Sequence, residues 1–511
     1  AGLMYGLQVL DSWLYDDALP FIHIEAGETY KALREKAETD YFEELIDKCM
    51  IHNTHKSILT LSPKKGLAEE REKLLKEKLA ALKESMDPAQ IGEIVEETHA
   101  LLEYQETPDS KEALETIPLL KREDIRKEAE PLINDIRSMG DTTVMYHDIF
   151  TNHISYLRFL FDVGQVPEDL FPYIGILKSV LGYVDTENFT YGELFHEINM
   201  ETGGIVPVTN FFTNAKKLSE CRVTFEIKAK TLEDNLPKTV ELVQEIMLKS
   251  RFDDGKRLYE ILAELKSRLQ SNLISAGHSV AASRAMSYFS RPAAIQEQIN
   301  GMPFYRLVDY LEKNFDSCRE DLQNKLEALM KYIFRPENLL LDYVGTQDHY
   351  EEFISLAGQV KKSLHTEPVE HRPFLIEPVR KNEGFMSASQ VQYVCRAGNF
   401  ISKGLSYTGA LRVLKVMMSY EYLWQEVRVK GGAYGCMCAF GKSGDSYFVS
   451  YRDPNLKSTV QVYERAAEFV EGFDGDERTM TQYIIGAISE MDTPMNPAAK
   501  GLRAMSAYLT N

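Results

Sequence analysis

The sequence predicts a mixed α/β protein, of the α+β kind, that is built from several domains. Its 511 residues exceed what one hydrophobic core ordinarily holds, so two to four domains are expected. A hydrophobic content of 44%, with 24 Phe and 27 Tyr, is enough to fill such cores. Short segments that alternate apolar and polar residues lie between longer segments with helical apolar spacing, and this mixture favours sheets packed on helices.

The first elements are a helix, a strand and a pair of charged helices. The helix has the sequence TDYFEELIDKCMI (39–51), and the apolar strand has the sequence SILTLSP (57–63). Residues 64–110 form two charged helices, which Asp87-Pro88 separates. The first of them has leucines at helical spacing, at positions 74, 75, 79 and 82. We interpret residues 64–110 as a long helical hairpin that links domains.

A new unit begins near residue 111. It is predicted to contain strands at 153–163, 221–230 and 337–345, of which 221–230 alternates most clearly, with Val223, Phe225 and Ile227 on one face. A helix is predicted at 166–184, long helices at 250–334, and a closing helix at 348–364.

The last unit begins with a predicted strand at 389–398. A helix follows from about Tyr407 to Val427, and two further strands are predicted at 431–440 and 445–453. Cys436 and Cys438 lie two apart on one of these strands, so both thiols are expected to face the core.

The charge balance and the absence of targeting signals exclude several classes of protein. With 58 basic and 78 acidic residues the net charge is −20, which argues against nucleic-acid binding. No signal peptide and no membrane-spanning segment are recognisable, so no membrane partner is expected. The six scattered cysteines are typical of a reducing compartment. Both ends stop within helical patterning, and we therefore expect the chain to be a piece of a longer protein.

The sequence contains no complete metal or nucleotide motif. HExxH and HxxEH, which place two His on one helical face around Zn²⁺, do not occur, so no metal ligands are assigned. Cys49, His52 and His55 form a weak C-x-x-H-x-x-H pattern that has no fourth ligand nearby. The segment GCMCAFGKSG (435–444) has one residue too many for a phosphate-binding loop and is predicted to be a strand.

The stretch LWQEVRVKGGAYG (423–435) places a fixed cation and a phenol on either side of two glycines. Arg428 and Tyr434 are suited to polarising a substrate carbonyl, and Gly431 and Gly432 allow another backbone to come close. A structural interpretation is equally open at this point. In it, Arg428 favours the end of a helix, Tyr434 packs, and the glycines form a turn.

The same stretch resembles the C-terminal signature of the presequence-protease branch of the insulinase/pitrilysin metallopeptidases. Further resemblance lies in FEELIDKC (42–49), THKSILTLSPKKGL (54–67), PENLLLDYVG (336–345) and DTPMNPAAKGLRAMSAYL (492–509). The resemblance implies repeated domains, each a mostly antiparallel sheet packed on helices. It assigns 1–63 to the end of a second peptidase domain, 64–110 to a helical hairpin hinge, 111–366 to a third, noncatalytic domain, and 367–511 to a truncated fourth domain.

The resemblance also implies a site that two halves of one chain share. The family's Zn²⁺ would be held by an N-terminal half that is missing here, and this chain would hold none. Tyr173, Ile176 and Leu177 occupy the positions of the family's zinc ligands, and they cannot bind a metal. Arg428 and Tyr434 match the family's pair that contacts the substrate carbonyl and the transition state.

Two functions therefore remain. The first is the C-terminal half of a zinc-dependent oligopeptidase that degrades short unfolded peptides in a closed chamber, inactive without its N-terminal half. The alternative is a noncatalytic scaffold or binding subunit of a two-chain complex. The expected location is the cytoplasm of a bacterium, or the mitochondrial matrix if the organism is eukaryotic.

Overall fold

The chain folds into two compact units, which are described separately. The structure is a computed structural model that describes residues 2–107, 109–370, 375–387, 389 and 391–511. The first unit ends at Ile117 and the second begins at Pro118. The predicted domain boundaries at 63, 110 and 366 stay predictions.

The described residues of the first unit form helices and no strands. The predicted helices on both sides of Asp87 are present, and Asp87 begins the second one with a capping box in which its side chain accepts the Gln90 N–H. The helices of this unit are Gly2–Trp13, Gly27–Ala37, Tyr41–Ile46, the π-helix Asp47–Ile51, Leu67–Ser85, Pro88–Glu106 and Lys111–Glu115.

The strand predicted at 57–63 is wrong. This segment has no regular structure, and Ile58 and Leu61 are 94% and 87% exposed. A strand requires a neighbour that pairs with its N–H and C=O groups, and the described part of the first unit offers only helices.

The second unit is organised around a six-stranded sheet. Its order is β1-β2-β6-β3-β5-β4, and every neighbouring pair is antiparallel except β2 and β6, which are parallel. The predicted mostly antiparallel sheet is therefore confirmed. Its strands are β1 (Asp135–Met139), β2 (Thr142–Asp148), β3 (Ile154–Asp162), β4 (Ile205–Thr213), β5 (Cys221–Leu232) and β6 (Leu339–Gly345).

A smaller sheet follows later in the chain. It consists of β7 (Cys395–Asn399), β8 (Gly435–Phe440) and β9 (Asp445–Tyr451), in the antiparallel order β7-β9-β8. β7 is shorter than the strand predicted at 389–398. β8 begins later than predicted, because Gly432 has a φ of +76° and this left-handed conformation interrupts the extended backbone.

Helices cover these sheets. The helix predicted at 166–184 is a short 3₁₀ turn, Phe171–Tyr173, followed by the helix Ile174–Val180. The one predicted from Tyr407 is an α-helix, Ala410–Met417, that continues as the π-helix Met418–Val429. The other α-helices are Tyr191–Glu201, Leu236–Lys249, Gly255–Ser275, Gly277–Met286, Arg291–Asn300, Met302–Lys313, Phe315–Ile333, Gln347–Lys362, Lys457–Glu464, Ala466–Gly472, Glu477–Met491 and Pro497–Leu509; short 3₁₀ turns lie at Arg122–Asp124, Glu233–Asn235, Pro336–Asn338 and Ile401–Lys403.

Three clusters of buried apolar side chains hold the second unit together. The largest lies between the six-stranded sheet and its helices and includes Phe159, Phe225 and Tyr343. A second joins β8 to the helices around the small sheet, and buried Cys438 belongs to it while Cys436 packs against it, as predicted. A third places Met505, from the helix Pro497–Leu509, on the opposite face of the six-stranded sheet.

In the part of the chain that the structure describes, no helix has both the length and the apolar character that crossing a bilayer requires.

Candidate functional site

Arg428 is held by an aromatic ring near the end of the π-helix. Its guanidinium carbon lies 3.7 Å from the centroid of the Trp424 ring, one turn earlier in Met418–Val429. A guanidinium stacked on an indole is attracted by the ring and loses orientational freedom. Among the described residues Arg428 makes no ion pair with a carboxylate, so its N–H donors are available.

The two glycines end this helix and turn the chain into β8. The Gly432 N–H donates to the Arg428 carbonyl at 2.9 Å, and the Ala433 N–H donates to the Val427 carbonyl at 3.1 Å. A side chain at Gly431 would place its Cβ 2.4 Å from the Val427 oxygen. Both positions thus require glycine for the turn itself, and a role in binding substrate backbone stays a prediction.

Tyr434 projects into solvent just before β8. Its N–H donates to the Tyr451 carbonyl at 3.1 Å, which extends the pairing with β9 by one residue. Its side chain is 67% exposed, and its ring packs edge-to-face on the Tyr451 ring at 5.8 Å. The phenol is therefore fixed at its base and open at its hydroxyl.

The backbone below Tyr434 is anchored by a buried carboxylate. Asp453 has no solvent exposure, and it accepts hydrogen bonds from the Thr459 hydroxyl and the Asn455 N–H, both at 2.8 Å. The Asn455 amide in turn donates to the Gly431 carbonyl. These contacts join the end of β9 to the glycine turn, so Arg428 and Tyr434 project from a rigid base.

The cysteines of β8 are structural. Burial raises the pKa of Cys436 to about 12 and outweighs the opposing effect of the nearby Arg428 charge. Burial also raises the pKa of Cys438. Both thiols stay protonated at neutral pH and are poor nucleophiles.

The weak metal and nucleotide patterns do not form sites. Cys49, His52 and His55 are exposed, and the imidazole of His52 lies 3.0 Å from the Asp47 carboxylate. No three His, Cys, Asp or Glu side chains come together as metal ligands anywhere in the described residues. Residues 435–444 form β8 and its hairpin turn, in which the Gly441 N–H donates to the Asp445 carbonyl instead of facing a phosphate.

The three residues at the positions of the family's zinc ligands are part of the main core. Ile176 and Leu177 have no solvent exposure, and Tyr173 is 8% exposed. The Tyr173 hydroxyl accepts a hydrogen bond from the Lys325 ammonium at 3.1 Å. This helix therefore packs the sheet and has no inward-facing ligands to offer.

A second Gly-Gly turn in the chain provides an internal comparison. Gly203 and Gly204 follow the helix Tyr191–Glu201 and precede β4, just as Gly431 and Gly432 follow a helix and precede β8. The strand orders β4-β5-β3 and β8-β9-β7 also correspond, with antiparallel pairing throughout. Counted from the glycines, the positions of Arg428 and Tyr434 are taken by Met200 and Val206, which are 66% and 45% exposed.

The sequence analysis located Arg428, Tyr434 and the glycines but missed the residues that support them. Trp424 stands four residues before Arg428, a spacing that brings side chains together on a helix, so this contact was readable. The contacts that Tyr451 and Asp453 make with the turn depend on the pairing of β8 with β9. They leave no local signal.

Comparison with known proteins identifies the family. A family model for the region associated with M16 peptidases of subgroup C matches residues 61–311, and one described as PreP C-terminal domain matches residues 382–511. Protein HypA of Clostridium perfringens is 39% identical over 510 residues, which are 100% of this chain and 52% of that protein. Presequence protease 1, chloroplastic/mitochondrial, of Arabidopsis thaliana is 29% identical over 520 residues, which cover 99% of this chain and 47% of that protein.

A solved structure shares the fold. It is a conserved protein from Enterococcus faecalis V583, with a TM-score of 0.50 and 15% identity, and the match covers 73% of this chain and 93% of that one. The chain spans about half the length of the curated relatives that it matches. It belongs to the M16 peptidases, in which it corresponds to the C-terminal half of a presequence-protease-like member.

Proposed function

We propose that this chain is the C-terminal half of a zinc-dependent oligopeptidase that degrades short unfolded peptides in a closed chamber. In this proposal it supplies substrate and transition-state contacts, and an N-terminal half supplies the zinc site. The observation that carries the proposal is the glycine turn, which holds a Trp-stacked guanidinium at one end and a 67% exposed phenol at the other.

The chemistry of the pair suits an acyl-transfer transition state. When a peptide bond is attacked, negative charge develops on its carbonyl oxygen, and preorganised donors that face this oxygen lower the barrier. Arg428 offers a permanent charge and a fork of N–H donors, and Tyr434 offers an O–H donor. Because both are positioned by packing before any substrate arrives, little reorganisation is needed during the reaction.

The described residues of this chain do not fit a zinc ion, since they form no cluster of three ligands. We therefore derive no metal step from this chain. The proposed whole protein keeps the arrangement of a second-domain remnant at 1–63, a hinge at 64–110, a third domain at 111–366 and a fourth at 367–511. We place it in a bacterial cytoplasm, or in the mitochondrial matrix of a eukaryote.

Substitutions in the full-length protein test the proposal. Arg428→Ala and Tyr434→Phe are expected to lower kcat for an unfolded peptide by about 10²-fold or more, as is usual when one such donor is lost. Thermal stability should change little, because neither side chain is buried. Tyr420→Phe is the matched control, since Tyr420 is a 64% exposed tyrosine of the same π-helix. Wild-type kcat in both site variants would refute the assigned roles.

A further inference from the structure

Arg452 has a backbone conformation that arginine rarely adopts. It directly follows β9 and has a φ of +49°, in the left-handed region that favours Gly and Asn. The conformation has a local use, because it brings both the Tyr451 and the Arg452 carbonyls to the Tyr434 N–H, at 3.1 and 3.3 Å. That backbone function needs no arginine side chain, and glycine or asparagine would serve it with less strain.

The Arg452 side chain stands beside the candidate site. It is exposed, and its guanidinium carbon lies 5.4 Å from the centroid of the Tyr451 ring. The same ring contacts that of Tyr434 at 5.8 Å. Arg452 and Tyr434 are thus neighbours on a common aromatic support, with Arg428 on the other side of the glycine turn.

Neither guanidinium is neutralised within the described part of the chain. Other arginines of the same unit have carboxylate partners: Arg396 contacts Glu464 at 2.6 Å, and Arg284 contacts Glu383 at 2.8 Å. Arg428 and Arg452 have none among the described residues, although the sequence carries 78 acidic residues. The surface around Tyr434 is therefore a local concentration of unpaired positive charge in a chain of net charge −20.

We propose that Arg452 is a specificity residue that binds a carboxylate of the peptide substrate. This rests on the proposed function, which gives Arg428 and Tyr434 to the reacting carbonyl and leaves Arg452 free for a second group. A guanidinium binds a carboxylate through two parallel N–H···O bonds, and such charge-assisted pairs are stronger than neutral hydrogen bonds. The carboxylate belongs either to a Glu or Asp side chain near the cleaved bond or to the C-terminus of the peptide.

The test uses the full-length protein and matched peptides. One unfolded peptide is made with Glu or Gln at each position around its cleaved bond, and each version has a free or an amidated C-terminus. For wild type we expect kcat/KM to be about tenfold higher for one carboxylate-bearing version than for its neutral counterpart. The preference should weaken as salt is raised from about 0.05 to about 0.5 M, since the guanidinium is exposed. Loss of the preference on amidation identifies the C-terminal carboxylate, and loss on Glu to Gln exchange identifies a side chain.

Arg452→Asn separates this role from a structural one, because asparagine tolerates the left-handed backbone and removes only the charge. We expect the carboxylate preference to fall to about onefold, with the Tm unchanged or raised by about 1 °C. Arg452→Lys should keep only part of the preference, since an ammonium lacks the two-pronged geometry. Arg396→Asn, at the opposite edge of the small sheet, should keep it in full.

Two results overturn the proposal alone: equal hydrolysis of charged and neutral peptides by an active wild type, or a wild-type preference that persists in Arg452→Asn. A fall in Tm with an equal loss on all peptides would also overturn it, because that is the signature of a structural residue. If wild type cleaves none of the peptides, the proposed function fails, and this inference fails with it.

Discussion

Replacing Asp342 by asparagine breaks a charge network that is buried in the six-stranded sheet. One oxygen of this carboxylate lies 2.8 Å from His147 Nε2, and the other lies 3.5 Å from Arg158 Nε. Arg158 also donates to Glu226 at 3.3 Å, and the Thr224 hydroxyl donates to the same carboxylate at 2.7 Å. His147 and Glu226 have no solvent exposure, and Asp342 is 1% exposed.

The hydrogen bonds of His147 indicate that its imidazole is positively charged. Nδ1 lies 2.6 Å from the Ile133 carbonyl, which can only accept, and Nε2 faces the Asp342 carboxylate. Both ring nitrogens therefore carry protons. Burial lowers the pKa of His147, but the hydrogen bond to Asp342 and its negative charge outweigh burial, and the net result is a pKa above 6.5.

The direction of these shifts fixes the dependence of stability on pH. A group whose pKa is raised on folding contributes stability that is complete below its unfolded pKa and is lost as the pH rises through its folded pKa. For His147 this loss begins near pH 6.5. Burial raises the pKa of Glu226 as well, and the hydrogen bond from Thr224 and the charge of Arg158 offset this rise only in part. Glu226 therefore acts in the same direction, starting from about pH 4.5.

Asp342→Asn leaves His147 facing a neutral amide in a site without water. Removing one partner of a buried ion pair costs about 3–5 kcal/mol, and we expect that loss in the free energy of unfolding below pH 6.5. The loss should shrink as the pH rises, because wild type itself then loses the His147 contribution. Urea unfolding at pH 5, 6, 7, 8 and 9 measures both effects. Asp253→Asn is the control, since its ion pair with Arg251 is more than half exposed and screened by solvent.

A loss below about 1 kcal/mol, or the same loss at every pH, would refute the charged network. The first result would mean that the site admits water, and the second that His147 is neutral in the folded protein.

Three further predictions concern packing and activity. His278→Phe should raise the free energy of unfolding by about 1 kcal/mol in urea, because His278 Nδ1 is buried without a hydrogen-bond partner and the ring only needs to pack on Tyr451; a destabilised variant would contradict this. Gly501→Ala should cost about 1–3 kcal/mol, since its Cβ would lie 2.3 Å from Val344 Cγ2, whereas the control Gly192→Ala, with nothing within 4 Å, should be neutral or stabilising. The purified 511-residue chain should hydrolyse no peptide and bind no stoichiometric zinc in a metal assay, and chelator-sensitive cleavage would refute this.

Sequence patterns predicted elements well where the local pattern and the packing agree. β5 alternates Val223, Phe225 and Ile227 toward the main core, so its period is visible in isolation. Residues 57–63 have an equally apolar pattern, but a strand exists only through its neighbours, and the described part of the first unit provides none. Local propensity cannot report that missing partner.

The candidate site was predictable to a smaller extent, for a related reason. Arg428 and Tyr434 were found by their residue types and by the glycines between them. The φ of Arg452 is set by a hydrogen bond to Tyr434 and by the buried Asp453, which meet only after β8 and β9 have paired. Arginine has no local preference for this conformation, so nothing in the sequence alone pointed to position 452.

The two Gly-Gly turns separate what the fold requires from what the candidate site adds. Both turns leave a helix and enter a strand at the same place in the strand order, and Gly204 and Gly432 both have positive φ. The first turn forms with Met200 and Val206 at the positions of the cation and the phenol, so neither the helix end nor the strand entry depends on charge or on a hydroxyl there. Favourable interaction with the helix dipole therefore does not account for Arg428, because the equivalent helix ends without a cation. Binding of a group from outside the chain remains the better physical reason for a stacked guanidinium and an open phenol at these two positions.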